Sequence, residues 1–124
     1  MIGYVTFGTN DIDRAARFYD ALLAEVGGKR VMDFDTFIVW AVDPKQPGLA
    51  VTKPYDGKAA TVGNGVMVAL AVPRPEDVDR VYNKALELGA TDEGPAGPRG
   101  DTFYAGYFRD LDGNKLNAFC MTGR

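Results

Sequence analysis

Val5 and Phe7 return as Val68 and Leu70, 63 positions further along, and the glycines that stop two helical patterns, Gly27 and Gly89, stand 62 apart. In a chain of 124 residues this is one half repeated upon the other, and no other feature constrains the fold as tightly. Residues 2–9 read as a strand, with Val5 and Phe7 on one face and Tyr4, Thr6 and Gly8 on the other. Asn10-Asp11 supplies helix-capping side chains. Ile12, Ala15, Ala16, Tyr19, Leu22, Leu23 and Val26 follow at helical spacing until Gly27-Gly28. β-prone runs at 29–34, 36–42 and 48–53 complete a β-α-β-β-β module over residues 1–53.

Residues 54–65, with Pro54, Gly57 and Gly63, read as a connector, and 66–124 repeats the pattern. The apolar run 66–72 is short enough for a strand covered on both faces. Pro75, Glu76 and Asp77 suit the first turn of a helix whose stripe is Val78, Val81, Tyr82, Ala85 and Leu88. A short run at 90–93 leads into a Gly/Pro-rich loop, 94–100, and then into a C-terminal hairpin. Its strands, 103–109 and 115–120, flank the turn formers Asp110-Leu111-Asp112-Gly113-Asn114. Each module alone would leave one sheet face wet, so the expected α+β solution pairs them, helices outside and a concave cleft between. An unrepeated α+β domain is the alternative.

Composition enters through what it excludes. The chain has no histidine and no serine, which removes Ser-His-Asp and Cys-His nucleophiles and every imidazole metal site. Net charge is −3, so no basic footprint points to nucleic acid. No apolar run reaches the length of roughly 18 residues that a membrane span needs. Met1-Ile2-Gly3-Tyr4 enters a strand without a basic-then-apolar leader, so no secretory signal is expected. One cysteine, Cys120, excludes an internal disulfide and fits a cytoplasmic location.

Several side chains are candidates for ligand contact. Tyr104 and Tyr107, three apart on one strand, must point to opposite faces, and Tyr104 is taken as the ligand-facing one. Arg99 in the Gly/Pro-rich loop and Arg109 at a strand end can each grip a carboxylate, or lie solvated on the surface. Trp40 is either core or an aromatic wall of the pocket. Cys120 reads as a small buried hydrophobe. The Asp110-x-Asp112-Gly113-Asn114 run looks calcium-like, but its glycine is fourth rather than sixth, which makes it a turn.

Paired β-α-β-β-β modules with an aromatic strand leading into Asp-x-Asp-Gly-Asn resemble the vicinal oxygen chelate superfamily. That group includes glyoxalase I, bleomycin-resistance proteins, fosfomycin-resistance proteins and extradiol dioxygenases. The opening segment, Tyr4-Val5-Thr6 through Asn10-Asp11-Ile12 to Phe18-Tyr19, is similar as well. The resemblance implies eight strands in half-open, barrel-like mixed sheets with the helices outside. It also implies a metal site taking His, Gln or Glu from the first strand of each module and Glu from the last. Those positions fall here on Tyr4, Met67 and Asn117, with the fourth inside 48–52, where there is no acid, amide or imidazole. A phenol, a thioether and a neutral carboxamide are poor company for a hard cation. The implication is therefore the fold and its cleft with no metal and no cofactor.

Three functions stay open. One is a metal-free protein binding a small amphipathic or aromatic molecule in a cleft lined by Tyr4, Trp40, Met67, Tyr104 and Asn117. Another is a glyoxalase-type lyase or isomerase acting on a small carbonyl or thiol adduct, with Arg99 or Arg109 steadying negative charge. The third is a non-catalytic interaction module. A homodimer is expected in each case, with neither nucleic acid nor membrane as partner.

Overall fold

The structure is a computed structural model that describes residues 1–123. The chain divides into two compact units, Met1–Gly63 and a second beginning at Asn64. In each the element order is β-α-β-β-β, so the fold is α+β and duplicated.

The first unit contains β1 (Tyr4–Gly8), α1 (Ile12–Ala24), β2 (Lys29–Phe34), β3 (Phe37–Ala41) and β4 (Gly48–Thr52). Its sheet order is β1-β4-β3-β2, with β1 and β4 parallel and the remaining pairs antiparallel. The parallel pair follows from the helix between β1 and β2, which carries the chain across the sheet before two tight returns bring β4 back beside β1. Asp11 caps α1 by accepting from the Arg14 N–H at 3.1 Å. Gly27 takes φ +82° just past the helix, a left-handed conformation open to glycine and costly to other residues. Ile12, Ala15, Ala16, Phe18, Tyr19, Leu22 and Leu23 form the buried stripe. Trp40 on β3 meets them, its ring 5.7 Å from Tyr19 and its indole N–H donating to Asp20 at 2.8 Å. Asp20 also accepts two bonds from Arg30 on β2. The guanidinium, more than the indole, holds the Asp20 carboxyl below its ordinary value.

The connector belongs physically to this unit. Asn10, one residue before the cap, accepts from the Ala60 N–H at 2.7 Å and donates back to the Ala60 carbonyl at 3.3 Å. That pairing imitates a strand ladder with one side chain and ties residues around 60 beside the start of α1.

The second unit contains β5 (Val68–Ala71), α2 (Pro75–Glu87), β6 (Thr91–Pro98), β7 (Phe103–Arg109) and β8 (Lys115–Met121). Its sheet order, β5-β8-β7-β6, repeats the first. Gly106 lies beneath α2, where a Cβ would stand 3.0–3.1 Å from Tyr82 ring and Cβ atoms, so only glycine lets helix and sheet meet this closely. Tyr82 donates to Asp92 at 2.7 Å, and burial, followed by that carboxylate, pushes its phenol up to about 12. Tyr104 donates to Asp79 of α2 at 2.8 Å. The hairpin turn is organised by Asp110, whose carboxylate accepts from the Asp112 and Asn114 N–H groups and from the Asn114 amide. Cys120 is buried beneath α2, and burial raises its thiol above the ordinary value.

Two expectations are corrected. The run 66–72 is not covered on both faces: β5 is an edge strand paired only with β8, and Ala69 and Ala71 are exposed. An apolar run alone cannot distinguish an edge strand of small side chains from a central one. The segment 94–98 is not loop but the far half of β6. Register shifts on either side of Gly94, together with an edge position that asks for few N–H donors, accommodate Pro95 and Pro98.

Asp77, in the first turn of α2, is buried and bonded to Arg74 at 3.0 Å and Arg80 at 2.7 Å. These guanidiniums, Arg74 first, lower its carboxyl to about 2. A depressed folded-state value stabilises the native state above the unfolded carboxylate value, and the contribution disappears as pH falls through the folded one. Stability is therefore expected to be insensitive to this group above pH ~5 and to decline between roughly pH 4 and 2. Asp77→Asn should flatten that part of the profile in urea melts taken at a series of pH values. An unchanged acid limb in D77N would show that the ion pairs are not felt.

Candidate functional site

In each sheet one face carries the helix, and the other face holds the side chains that resemblance placed at a ligand. Alternation assigns the faces. In the first unit Val5, Phe7, Ile38, Trp40, Leu49 and Val51 share the helix side through the pairs Val5↔Leu49, Phe7↔Val51, Trp40↔Leu49 and Ile38↔Val51. Tyr4, Phe37, Val39 and Gly48 lie on the other side. Tyr4 meets Phe37 edge-on at 5.9 Å between ring centroids. Beside them is a hollow of about 290 Å³ lined by Tyr4, Val31, Met32, Phe37, Val39 and Gly48 among others. A Cβ at Gly48 would meet the Val39 side chain at 2.9 Å, so the glycine keeps the floor of that hollow low. Tyr4, Val31 and Met32 are exposed.

In the second unit Tyr104, Gly106 and Phe108 point to α2 together with their partners Cys120, Ala118 and Leu116. Phe103, Tyr107, Lys115, Asn117 and Phe119 point away from it. Phe103 stacks on Phe119 at 5.5 Å. Tyr107 stands directly opposite Asn117. The Arg99 guanidinium lies 5.5 Å from the centre of the Tyr107 ring, and the Lys115 ammonium 5.6 Å from it. Arg99 is drawn back over β6 by donating to the carbonyls of Gly97 at 3.0 Å and Pro95 at 2.7 Å. Asn117 is 2% exposed, and its Oδ1 is buried with no hydrogen-bond partner among the described residues. Met67 is exposed, one residue before β5 and in phase with Ala69, the parallel partner of Asn117.

Of the seven residues singled out in sequence, Tyr4, Met67, Arg99 and Asn117 fall on the faces away from the helices, each within its own unit. Three are used otherwise. Trp40 is core, 1% exposed and bonded to Asp20 of α1. Tyr104 is anchored to Asp79 on the helix side, which raises its phenol above the ordinary value. Tyr107 is the tyrosine on the Asn117 face. Arg109, opposite Lys115 and so on the Asn117 face, is taken up in bracing the hairpin through the Gly113 carbonyl at 2.9 Å and Glu93 at 3.4 Å.

The sequence reading takes Tyr104 over Tyr107 and does not include Lys115, although a signal is present. Tyr107 and Asn117 are each five residues from Asp112, the centre of the turn, so the hairpin pairs them face to face. Phe37 and Val39 had no comparable signal, because three β-prone runs do not reveal which neighbour each will take.

Among the described residues no three His, Cys, Asp or Glu side chains are placed to hold a metal ion, and no helix is long and apolar enough to cross a membrane.

Fold and site together define a duplicated βαβββ protein with a mixed aromatic and amide surface on the helix-free side of its sheets. The family model of the Glyoxalase/Bleomycin resistance protein/Dioxygenase superfamily matches residues 1–118, and the chain belongs to that superfamily. A glyoxalase/bleomycin resistance protein from Albidiferax ferrireducens T118 is similar at 33% identity, covering 97% of this chain and 98% of its own, with a TM-score of 0.88. Two further structures share the fold. Lactoylglutathione lyase from Agrobacterium tumefaciens is 17% identical, with coverage of 97% and 92% and a TM-score of 0.72. A fosfomycin resistance protein from Mesorhizobium loti is 19% identical, with coverage of 100% and 92% and a TM-score of 0.69. A search of curated proteins finds no match.

Proposed function

We propose that this protein binds a small amphipathic or aromatic molecule, in the manner of the glyoxalase/bleomycin-resistance group, without the divalent metal that the family resemblance implies. The observation that carries the reading is Asn117. It stands where the family pattern calls for a metal-binding carboxylate, and its buried Oδ1 has no hydrogen-bond partner among the described residues. A buried carbonyl oxygen left unpaired costs about 1–3 kcal/mol, so a site retaining one is built for a donor that arrives from outside. The other carried positions, Tyr4 and Met67, offer a phenol and a thioether. Neither supplies the charge needed to strip water from a hard cation.

Two measurements test this together. Mass spectrometry of the purified protein should find divalent metal far below one per chain. A compound screen by thermal shift should find aromatic molecules that raise the melting temperature equally with and without a chelator. Stoichiometric metal with turnover of the methylglyoxal–glutathione adduct would replace the reading with a lyase. A homodimer is part of the proposal, supported by the exposed apolar side chains of Tyr4, Met32 and Phe34. Sedimentation showing a monomer at every concentration would remove it.

A further inference from the structure

Tyr107 carries two cations on its ring, and neither pairs with a carboxylate among the described residues. The ion pairs of the second unit engage Arg74, Arg80, Lys84 and Arg109. Arg99 and Lys115 have no acidic partner among the described residues, in a chain whose net charge is −3. Arg99 is not a loose surface side chain either, because the Gly97 and Pro95 carbonyls fix its guanidinium while using only part of its donor set. Gly94 leaves the room for this: a Cβ there would stand 3.3 Å from Arg99 Nη2 and 3.4 Å from the Tyr107 ring. Two positive charges held against one ring repel each other, and an anion between or beside them relieves that repulsion. Directly across the strand pair from the same ring stands Asn117, whose buried Oδ1 has no hydrogen-bond partner among the described residues.

We propose that the face of the second sheet turned away from α2 takes a small organic anion that also carries an N–H or O–H donor. Arg99 and Lys115 receive the anionic group, Tyr107 lies under the body of the molecule, and Asn117 Oδ1 accepts from its donor. This names the ligand class for the binding activity proposed above and rests on that reading. A neutral aromatic ligand with an N–H or O–H donor satisfies Asn117 but leaves the two cations uncompensated, and an anion without a donor does the reverse.

The test is a two-dimensional NMR titration, which reads weak binding residue by residue, with 4-hydroxybenzoate as probe. Methyl 4-hydroxybenzoate serves as the uncharged control and 4-methoxybenzoate as the control without a donor. The expected result is shifts in the Asn117 side-chain amide and around Tyr107 with 4-hydroxybenzoate. Affinity should fall about tenfold for each control, the loss typical of one hydrogen bond to a charged or buried group. The Arg99→Gln/Lys115→Thr variant should bind acid and ester alike, and Asn117→Leu should bind hydroxy and methoxy compounds alike, with thermal melts confirming that both variants are folded. Equal binding of acid and ester by the unaltered protein would overturn the anion class while leaving a small-molecule site in place. Absence of shifts on this face with all three compounds at millimolar concentration would overturn the inference. The metal analysis and compound screen then decide separately whether the wider reading survives.

Discussion

Replacing Trp40 with alanine is expected to cost about 3–5 kcal/mol of stability, the range for removing a large aromatic from a packed interior. The side chain is 1% exposed, leans on Tyr19 and lies 5.9 Å beneath the Arg30 guanidinium. Its removal opens a cavity between α1 and β3 and also leaves Asp20 without its indole donor. Trp40→Phe separates the two effects. It keeps most of the apolar surface and gives up the hydrogen bond, so its cost should be nearer 1.5–3 kcal/mol, the worth of a hydrogen bond to a charged group. Urea denaturation followed by circular dichroism provides both values. A W40A midpoint within experimental error of the parent would mean that the core of the first unit is not built around this residue.

The second large effect runs in the opposite direction. Asn117→Leu is expected to stabilise the protein by about 1–3 kcal/mol, because a leucine of similar shape removes a buried oxygen that has no partner among the described residues. The same change should weaken binding of 4-hydroxybenzoate about tenfold, to the level of the methoxy compound. Greater stability joined to weaker binding is the signature of a polar group retained for function, and a merely structural asparagine would not produce it. Urea melts and the titration described above measure the two halves. Destabilisation of N117L by more than about 1 kcal/mol would show that the carboxamide is already satisfied in the free protein.

The two halves of this sequence are legible as copies because the residues that set helix ends and strand alternation are local. Asp11, Gly27, Pro75 and Gly89 act within a few bonds of themselves, and β1, α1, α2 and β7 appear where their patterns place them. The site was only partly legible. Tyr4, Met67 and Asn117 are singled out only by resemblance to a family motif, which encodes position in a fold rather than local chemistry. Tyr104 and Tyr107 could not be told apart by composition, since both are tyrosines on one short strand. Their difference lies in what stands across from them: Asp79 of the helix for one, Asn117 of the neighbouring strand for the other.

Sequence by itself determined the duplication, the two helices with the glycines that end them, the hairpin around Asp112, and a chain without histidine or serine chemistry. Each of these depends on periodicity, turn residues or simple presence, all of which are written along the chain. Tertiary structure alone decided that Trp40 is core, that 94–98 is strand, and that Arg99 and Lys115 share the ring of Tyr107. Those outcomes depend on which strand pairs with which and which face the helix covers, and such long-range choices are made by packing the whole unit at once.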